Sequence, residues 1–417
     1  MRNIWVPGLS LLHSPFQYRN YFMGKQAVVF LLAAINFTHI MDVMIMMPLS
    51  DIFMEDFQID AAAFSYLVAA YAIGAFMSSI LGAFLLDRFD RRKALLFIYT
   101  GFVLGTLLCG LAWSYWSLLI VRLITGVFGG IIGALALSIV SDLYSYRERG
   151  KAIGILMAAF SAASALGVPA GLYFAALSGW EIPFLFLAGL GAVLLTIAYF
   201  IMPEMGAHIQ EVKLKPKEVV HSISKDSNQL NALALGVILV MGHFIIIPFI
   251  TPYMTRNVGF EQYQISYIYL IGGILTVFSG PLIGRITDRF GALKTFYVVV
   301  VLSFAPVLIL TNLGPTPIPW ALVVTSLFFV LGSGRMISPN TMITASVGPS
   351  NRGSFMSVKS ALQQLAIALA SIISGAIVYI DETGMMSNYT YVGILSVVFC
   401  IFAMLIAPRL RVAKGNE

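Results

Sequence analysis

Asn36, His39 and Asp42 stand three residues apart in a largely apolar run. On a helix that spacing places all three on one face. An amide, an imidazole and a carboxylate so arranged can hold or pass a proton, because both ring and acid titrate in response to their surroundings. Arg122, His243 and Arg335 interrupt other apolar runs. A charge at the centre of a bilayer costs about 2.5–3.5 kcal/mol on insertion scales, so such residues are functional candidates. Asp42 is the one acid among them. A neighbouring arginine favours its carboxylate, whereas dehydration favours the neutral acid. Alternating exposure to two compartments would therefore switch its proton. A static ion pair that aids assembly is the competing reading. His39 either relays that proton or is simply hydrogen-bonded.

The elements that hold these groups must cross a membrane. Of the 417 residues, 59% are hydrophobic and 11% charged, against about a quarter charged in soluble domains. This excludes a disordered chain, a disulfide scaffold and an ordinary soluble enzyme. Cys109 and Cys400 both lie in apolar runs, which argues against a cysteine-built metal site. Twelve apolar segments reach the roughly 20 residues needed to span: 25–49, 61–86, 94–113, 117–141, 151–177, 181–203, 229–254, 262–286, 294–313, 317–345, 354–380 and 389–408. They are spans 1 to 12. Short links force neighbouring helices antiparallel. A polar stretch, 204–228, carries Lys213, Lys215, Lys217 and Lys225 and separates six spans from six. The first 22 residues, with Pro7 and Pro15, lack a clean apolar core; they form a surface segment, or Met23 is the start.

Charge sets the orientation. Alternate loops and the two termini hold 22 of the 25 basic residues. The opposite loops hold Arg256 alone among bases, with Asp51, Glu55, Asp56, Asp60, Glu181, Glu261, Asp381 and Glu382. We call these the basic and acidic ends. The positive-inside rule predicts that the basic end, with both termini, is cytoplasmic. Span 4 enters from the acidic end, which places Arg122 about 7–8 Å deep at 1.5 Å per residue. Asp42 lies about 12 Å below the same end on span 1, within reach of a long arginine side chain.

The chain repeats. Asp87-Arg88-Phe89 follows span 2, and Asp288-Arg289-Phe290 follows span 8, 201 residues later. Arg149-Gly150 opens span 5 and Arg352-Gly353 opens span 11, 203 residues later. Order, spacing and identity agree, which indicates duplicated halves. The predicted fold is an all-α integral membrane protein of twelve transmembrane helices in two pseudo-symmetric six-helix bundles. Its parts are a cytoplasmic segment 1–24, a first bundle 25–203, a linker 204–228, a second bundle 229–410 and a tail 411–417.

These features resemble the major facilitator superfamily over about residues 25–410, and within it the twelve-span drug/H⁺ antiporters. The second turn has the family's loop signature in Gly284, Asp288, Arg289 and Gly291. The first departs from it at Ala83 and Asp90, where the signature has glycines. The resemblance implies a cytoplasmic latch. Asp87 would accept from the start of span 11, where the helix dipole is positive, and Arg91 would pair with Asp142. Arg88, Arg92, Asp288 and Arg289 would complete it. Basic loops that merely fix orientation are the alternative. Arg122 followed by Gly126, Gly129, Gly130 and Gly133 resembles the family's span-4 signature, associated with proton coupling. Ala163, Gly167, Pro169 and Gly171 resemble loosely the span-5 pattern of its antiporters, which implies export. An ordinary proline kink explains them equally.

Arg335 either snorkels to the basic end or faces a substrate cavity and attracts an anionic group. Two intramembrane arginines against one aspartate tilt the substrate toward neutral, zwitterionic or anionic amphiphiles. Candidate cavity residues are Asn36, Tyr71, Ser161, His243, Phe244, Tyr267, Arg335, Gln363 and Gln364, with Met41, Met44, Met46 and Met47 more plainly packing. No phosphate-cradling loop and no clustered metal ligands are visible, so cofactors, metal and nucleic acid are not expected. The predicted function is proton-coupled export of a small amphiphile by a monomer in a bacterial inner membrane. A nutrient symporter or facilitator, and a transport-inactive sensor or assembly protein, are the rival readings.

Overall fold

The computed structural model describes residues 15–85, 88–144, 149–205, 221, 223–348 and 352–413, with side chains from 24 onward except 83–85. Among these, twelve helices are long and apolar enough to cross a membrane. Spans 1 to 6 are Gly24–Ile45, Ala61–Gly82, Arg91–Gly110, Tyr115–Leu143, Arg149–Ser178 and Glu181–Ile201. Spans 7 to 12 are Ser227–Val258, Gln262–Phe290, Ala292–Leu310, Ile318–Ala345, Arg352–Ile377 and Tyr389–Arg409. The helix of span 1 extends back to Pro15. The fold is not wholly α: β1 (Tyr379–Ile380) and β2 (Met386–Ser387) pair antiparallel in the link between spans 11 and 12. Most of the linker lies outside the described residues, with Lys213, Lys215 and Lys217.

Local chemistry explains the helix ends. Ser114 and Ser117 exchange side-chain and backbone hydrogen bonds at the start of span 4, which satisfies two orphan donors. Gly291 turns the chain between spans 8 and 9 at φ +90°, a backbone that disfavours any side chain. Its counterpart in the first half is Asp90, at φ −55°, which instead caps span 3 by accepting from the Lys93 N–H at 3.1 Å. The repeated turn is therefore built two ways. Partial burial works against the Asp90 charge, but the N–H groups of Lys93, Met205 and Arg92 hold its carboxyl below the usual range.

Prolines break the spans near the acidic end. Span 1 ends at Ile45 before Pro48, and a short helix, Ser50–Asp56, follows. Span 7 is α-helical to Phe244, then passes through a 3₁₀ turn at Ile247–Phe249 and a π-turn at Met254–Val258. Pro248 and Pro252 lack the N–H that would continue the α-ladder. Span 5 carries a π-bulge at Ala163–Gly167, immediately before Pro169.

Apolar burial is distributed unevenly along the membrane normal. One core, at the acidic end, draws on both halves: Met46, Leu49, Phe53 and Phe64 pack with Phe249, Ile250 and Met254. At the basic end the cores are separate. One lies within the first half, around Leu95, Tyr99 and Ile139. The other lies within the second, around Phe296, Ile343 and Phe355. The halves are thus joined at the acidic end and, farther along, where Ala69 and Ala72 of span 2 pack on Ala368 of span 11.

Candidate functional site

Asp42 and Arg122 meet. Both are buried, at 0% and 1% exposure, and Arg122 Nη1 lies 2.7 Å from Asp42 Oδ2. Thr106 of span 3 donates to the other carboxylate oxygen at 3.2 Å. The Arg122 guanidinium carbon stands 4.5 Å from the Tyr71 ring centroid, so the cation also sits on a π-face. Spans 1, 2, 3 and 4 each contribute one group. The glycines of span 4 make this possible. A Cβ at Gly126 would lie 2.1 Å from the Tyr71 carbonyl oxygen, so spans 2 and 4 touch backbone to backbone. A Cβ at Gly129 would lie 2.0 Å from the Tyr71 hydroxyl.

Among the described residues, three polar groups at the pair have no partner: Arg122 Nε, the Tyr71 hydroxyl and the His39 ring with both its nitrogens. His39 packs edge-on against Phe102 at 5.9 Å and makes no hydrogen bond to Asp42. Asn36 turns elsewhere, donating to the Leu156 carbonyl of span 5 at 3.4 Å. The three residues of the shared face therefore do different things, and Asp42 alone reaches the arginine.

The second half holds a counterpart. Arg335 is 2% exposed on span 10. It is too buried for its head to reach water by snorkelling. Its Nη1 donates to Cys400 Sγ at 3.1 Å, and its Nη2 lies 3.3 Å from His243 Nδ1. A guanidinium only donates, so His243 accepts there. Phe328 stacks on the His243 ring at 5.5 Å, and Phe244 meets it edge-on at 5.6 Å. Among the described residues Arg335 Nε has no partner.

Other candidates scatter. Tyr267 is exposed near the acidic end, edge-on to Tyr263, as interfacial aromatics are. Gln363, Gln364 and Ser161 are partly buried. Met41 fills the space above Gly167 and Gly171, where a Cβ would lie 2.6 Å from its sulfur and 2.7 Å from its methyl. Met46 and Met47 are core residues, and Met44 packs on the same core. The span-5 glycines and Pro169 thus have a packing and bending role in the structure.

At the basic end Arg91 Nε lies 3.1 Å from Asp142 Oδ2, joining spans 3 and 4. Arg92 donates to the Tyr199 carbonyl at 2.6 Å. Arg88, Asp288 and Arg289 are exposed, and Arg289 lies over the Phe290 ring at 5.3 Å. Asp87 lies outside the described residues.

Two features escape a reading by sequence. Asp51 accepts from Arg256 Nε at 2.7 Å and from Thr255 Oγ1 at 2.9 Å, which ties the two halves at the acidic end. The signal was present: Arg256 is a lone base among eight loop acids. Lys359, counted with the loop charges, lies inside span 11, 6% exposed, bonded through Nζ to Asn340 Oδ1 at 2.5 Å.

The Major Facilitator Superfamily profile matches residues 32–235 and again residues 232–417. The chain belongs to this superfamily. The chain is 23% identical over 386 residues to an uncharacterized transporter of the same type, YbcL of Bacillus subtilis, covering 92% of this chain and 96% of that one. It is 24% identical over 345 residues to the inner membrane transport protein YdhP of Escherichia coli K12, covering 82% and 84%. A bacterial homolog of the human lysosomal transporter Spinster, in an inward-facing and unoccupied conformation, superposes with a TM-score of 0.77. That likeness covers 94% and 99% of the chains at 16% identity, and describes the fold. The protein is a multi-pass membrane transporter and not an enzyme.

Proposed function

We propose that the protein is a proton-coupled exporter of a small amphiphilic molecule, working by alternating access with both termini cytoplasmic. The observation that carries the reading is the dehydrated Asp42–Arg122 pair, with 2.7 Å between charges and no exposure of the carboxylate. Asp42 is the protonation switch. Dry and beside Arg122 it is held as an ion pair; when one side admits water and a proton, the pair loosens. When the pair loosens, Arg122 still has the Tyr71 ring face beneath its guanidinium to rest on. His39, whose ring nitrogens have no partner among the described residues, is the candidate relay for that proton. No nucleotide-binding loop is present in the sequence, so a gradient drives the cycle.

Orientation follows from the charges, which make the basic end cytoplasmic. The conformer with halves joined through Asp51, Thr255 and Arg256 is then closed to the outside. Asp87 and Arg88 close the cytoplasmic side in the opposite state, and Asp288 with Arg289 does so more weakly; Arg91 with Asp142, and Arg92, are already bonded within the first half here and brace the loop that carries them. The second half has no acid like Asp142 at the end of span 10. The direction of transport rests on the span-5 resemblance.

Reconstitution in proteoliposomes tests the coupling. Asp42→Asn is expected to fold and to bind substrate but to lose uphill transport driven by a proton gradient. Uphill transport by Asp42→Asn at the normal rate sinks the assignment. Downhill flux that ignores the gradient in the unmodified protein supports a facilitator instead.

A further inference from the structure

The second half buries two cations. Arg335 is 2% exposed and Lys359 6%, and among the described residues neither meets a carboxylate. A buried unpaired charge is strongly unfavourable, and an anion brought beside it removes that penalty. Arg335 Nε, buried and without a partner, is a free donor for such an anion.

The internal repeat identifies what is missing. His243 follows Asp42 by 201 residues, the spacing of the two Asp-Arg-Phe turns. Span 7 is the second-half equivalent of span 1, and span 10 of span 4, although Arg335 follows Arg122 by 213 residues, about three turns beyond that spacing. In the first half an arginine of span 4 meets a protein carboxylate of span 1. In the second half an arginine of span 10 meets a histidine of span 7 and a thiol. The acid is absent from the second arrangement. The walls there are aromatic, with Phe328 and Phe244 against His243. Lys359 is bonded to Asn340, five residues from Arg335 toward the basic end, about 7–8 Å along span 10 at the helical rise. The two cations thus lie at successive depths below the basic end.

We propose that Arg335 and His243, with Lys359 on the approach, bind the carboxylate of an amphiphilic organic anion, so that the substrate supplies the acid the second half lacks. This inference rests on the transporter reading above and names its substrate class. The guanidinium gives geometry-specific donors, the aromatic residues hold the apolar body, and Asp42 remains free for the proton in the other half.

The test uses the purified protein in phosphatidylcholine nanodiscs at pH 7.5, with three probes of one shape: naphthalene-1-acetate, naphthalene-1-acetamide and 1-(1-naphthyl)ethylamine. Thermal shift and equilibrium dialysis read binding. The carboxylate is expected to bind, and the amide and amine at least about tenfold more weakly, as for loss of a desolvated charge pair. Arg335→Gln should weaken the carboxylate about tenfold or more, and Arg335→Lys should retain part of that affinity. His243→Asp gives a second, independent variant. It supplies the acid internally, so it should raise the unfolding midpoint and abolish carboxylate binding.

Equal carboxylate affinity in Arg335→Gln, preference for the amine, or binding of none of the probes overturns the inference. So does displacement of the carboxylate by phosphatidylglycerol, which would assign the site to a lipid headgroup. Carboxylate binding without proton-driven flux removes the coupling reading alone. Proton-driven flux of amines but not carboxylates removes this inference alone.

Discussion

Asp42 tolerates full burial because each of its oxygens has a donor, Arg122 on one side and Thr106 on the other. Removing the cation leaves the carboxylate buried and unanswered, which costs about 3–5 kcal/mol. Arg122→Ala is therefore expected to unfold markedly earlier in a detergent melt. Asp42→Asn/Arg122→Gln, a neutral pair of similar shape, should recover most of the loss. If the single and double variants melt together, the pair contributes nothing to stability. Outside the membrane, Asp381 accepts from the Thr383 and Ser387 hydroxyls and from the N–H groups of Thr383 and Met385. The two hydroxyls, then those N–H groups, hold its carboxyl below the usual value. With the folded value depressed, its support is present above the unfolded value and is lost as pH falls through the folded one. Protection of the 379–388 amides, relative to their intrinsic exchange rate at each pH, should fall only below about pH 4. Loss of protection already near neutral pH would contradict this role.

Spans 2 and 4 illustrate how an element positions a residue. Gly126 lies against backbone, where the neighbour cannot rotate away, whereas a Cβ at Gly133 would lie 3.8 Å from the nearest atom, the Asn36 side-chain oxygen. Gly126→Ala should therefore cost about 1–3 kcal/mol by overpacking and pull Tyr71 from Arg122. Gly133→Ala should be tolerated. Matching melting temperatures for the two would refute the close approach. All four glycines are visible in the sequence, but only the packing tells which ones touch. The same holds for span 5, whose glycines and proline read as an export signature and also as a place for Met41 and a π-bulge.

For the whole molecule, the conformational balance rests on what joins the halves at each end. Asp51 is half of the polar tie at the acidic end. A hydrogen bond to a charged group is worth about 1.5–3 kcal/mol, and 1.4 kcal/mol is tenfold in a population. Asp51→Asn should shift the protein about tenfold or more toward the state open at the acidic end. Distances between spin labels across that rim, with Cys109 and Cys400 first replaced by Ser, should lengthen. Unchanged distances would show that the shared apolar core closes this end unaided.

The sequence alone determined the twelve spans, their order and the doubling, because a bilayer demands long apolar helices and a repeat leaves its spacing in the chain. It also singled out Asp42 and Arg122, since charge in apolar sequence is rare. Depth along each helix follows from counting residues, which is why their meeting could be anticipated. Rotation about each helix, and the packing of distant spans, do not follow from counting. Only the tertiary structure could turn Asn36 toward Leu156 and seat Arg335 against His243 and Cys400. It alone drew Lys359 out of the loop charges into a buried site and brought Asp51 to Arg256, 205 residues away. Those pairings depend on which faces pack, and many arrangements of twelve apolar helices satisfy the bilayer equally well.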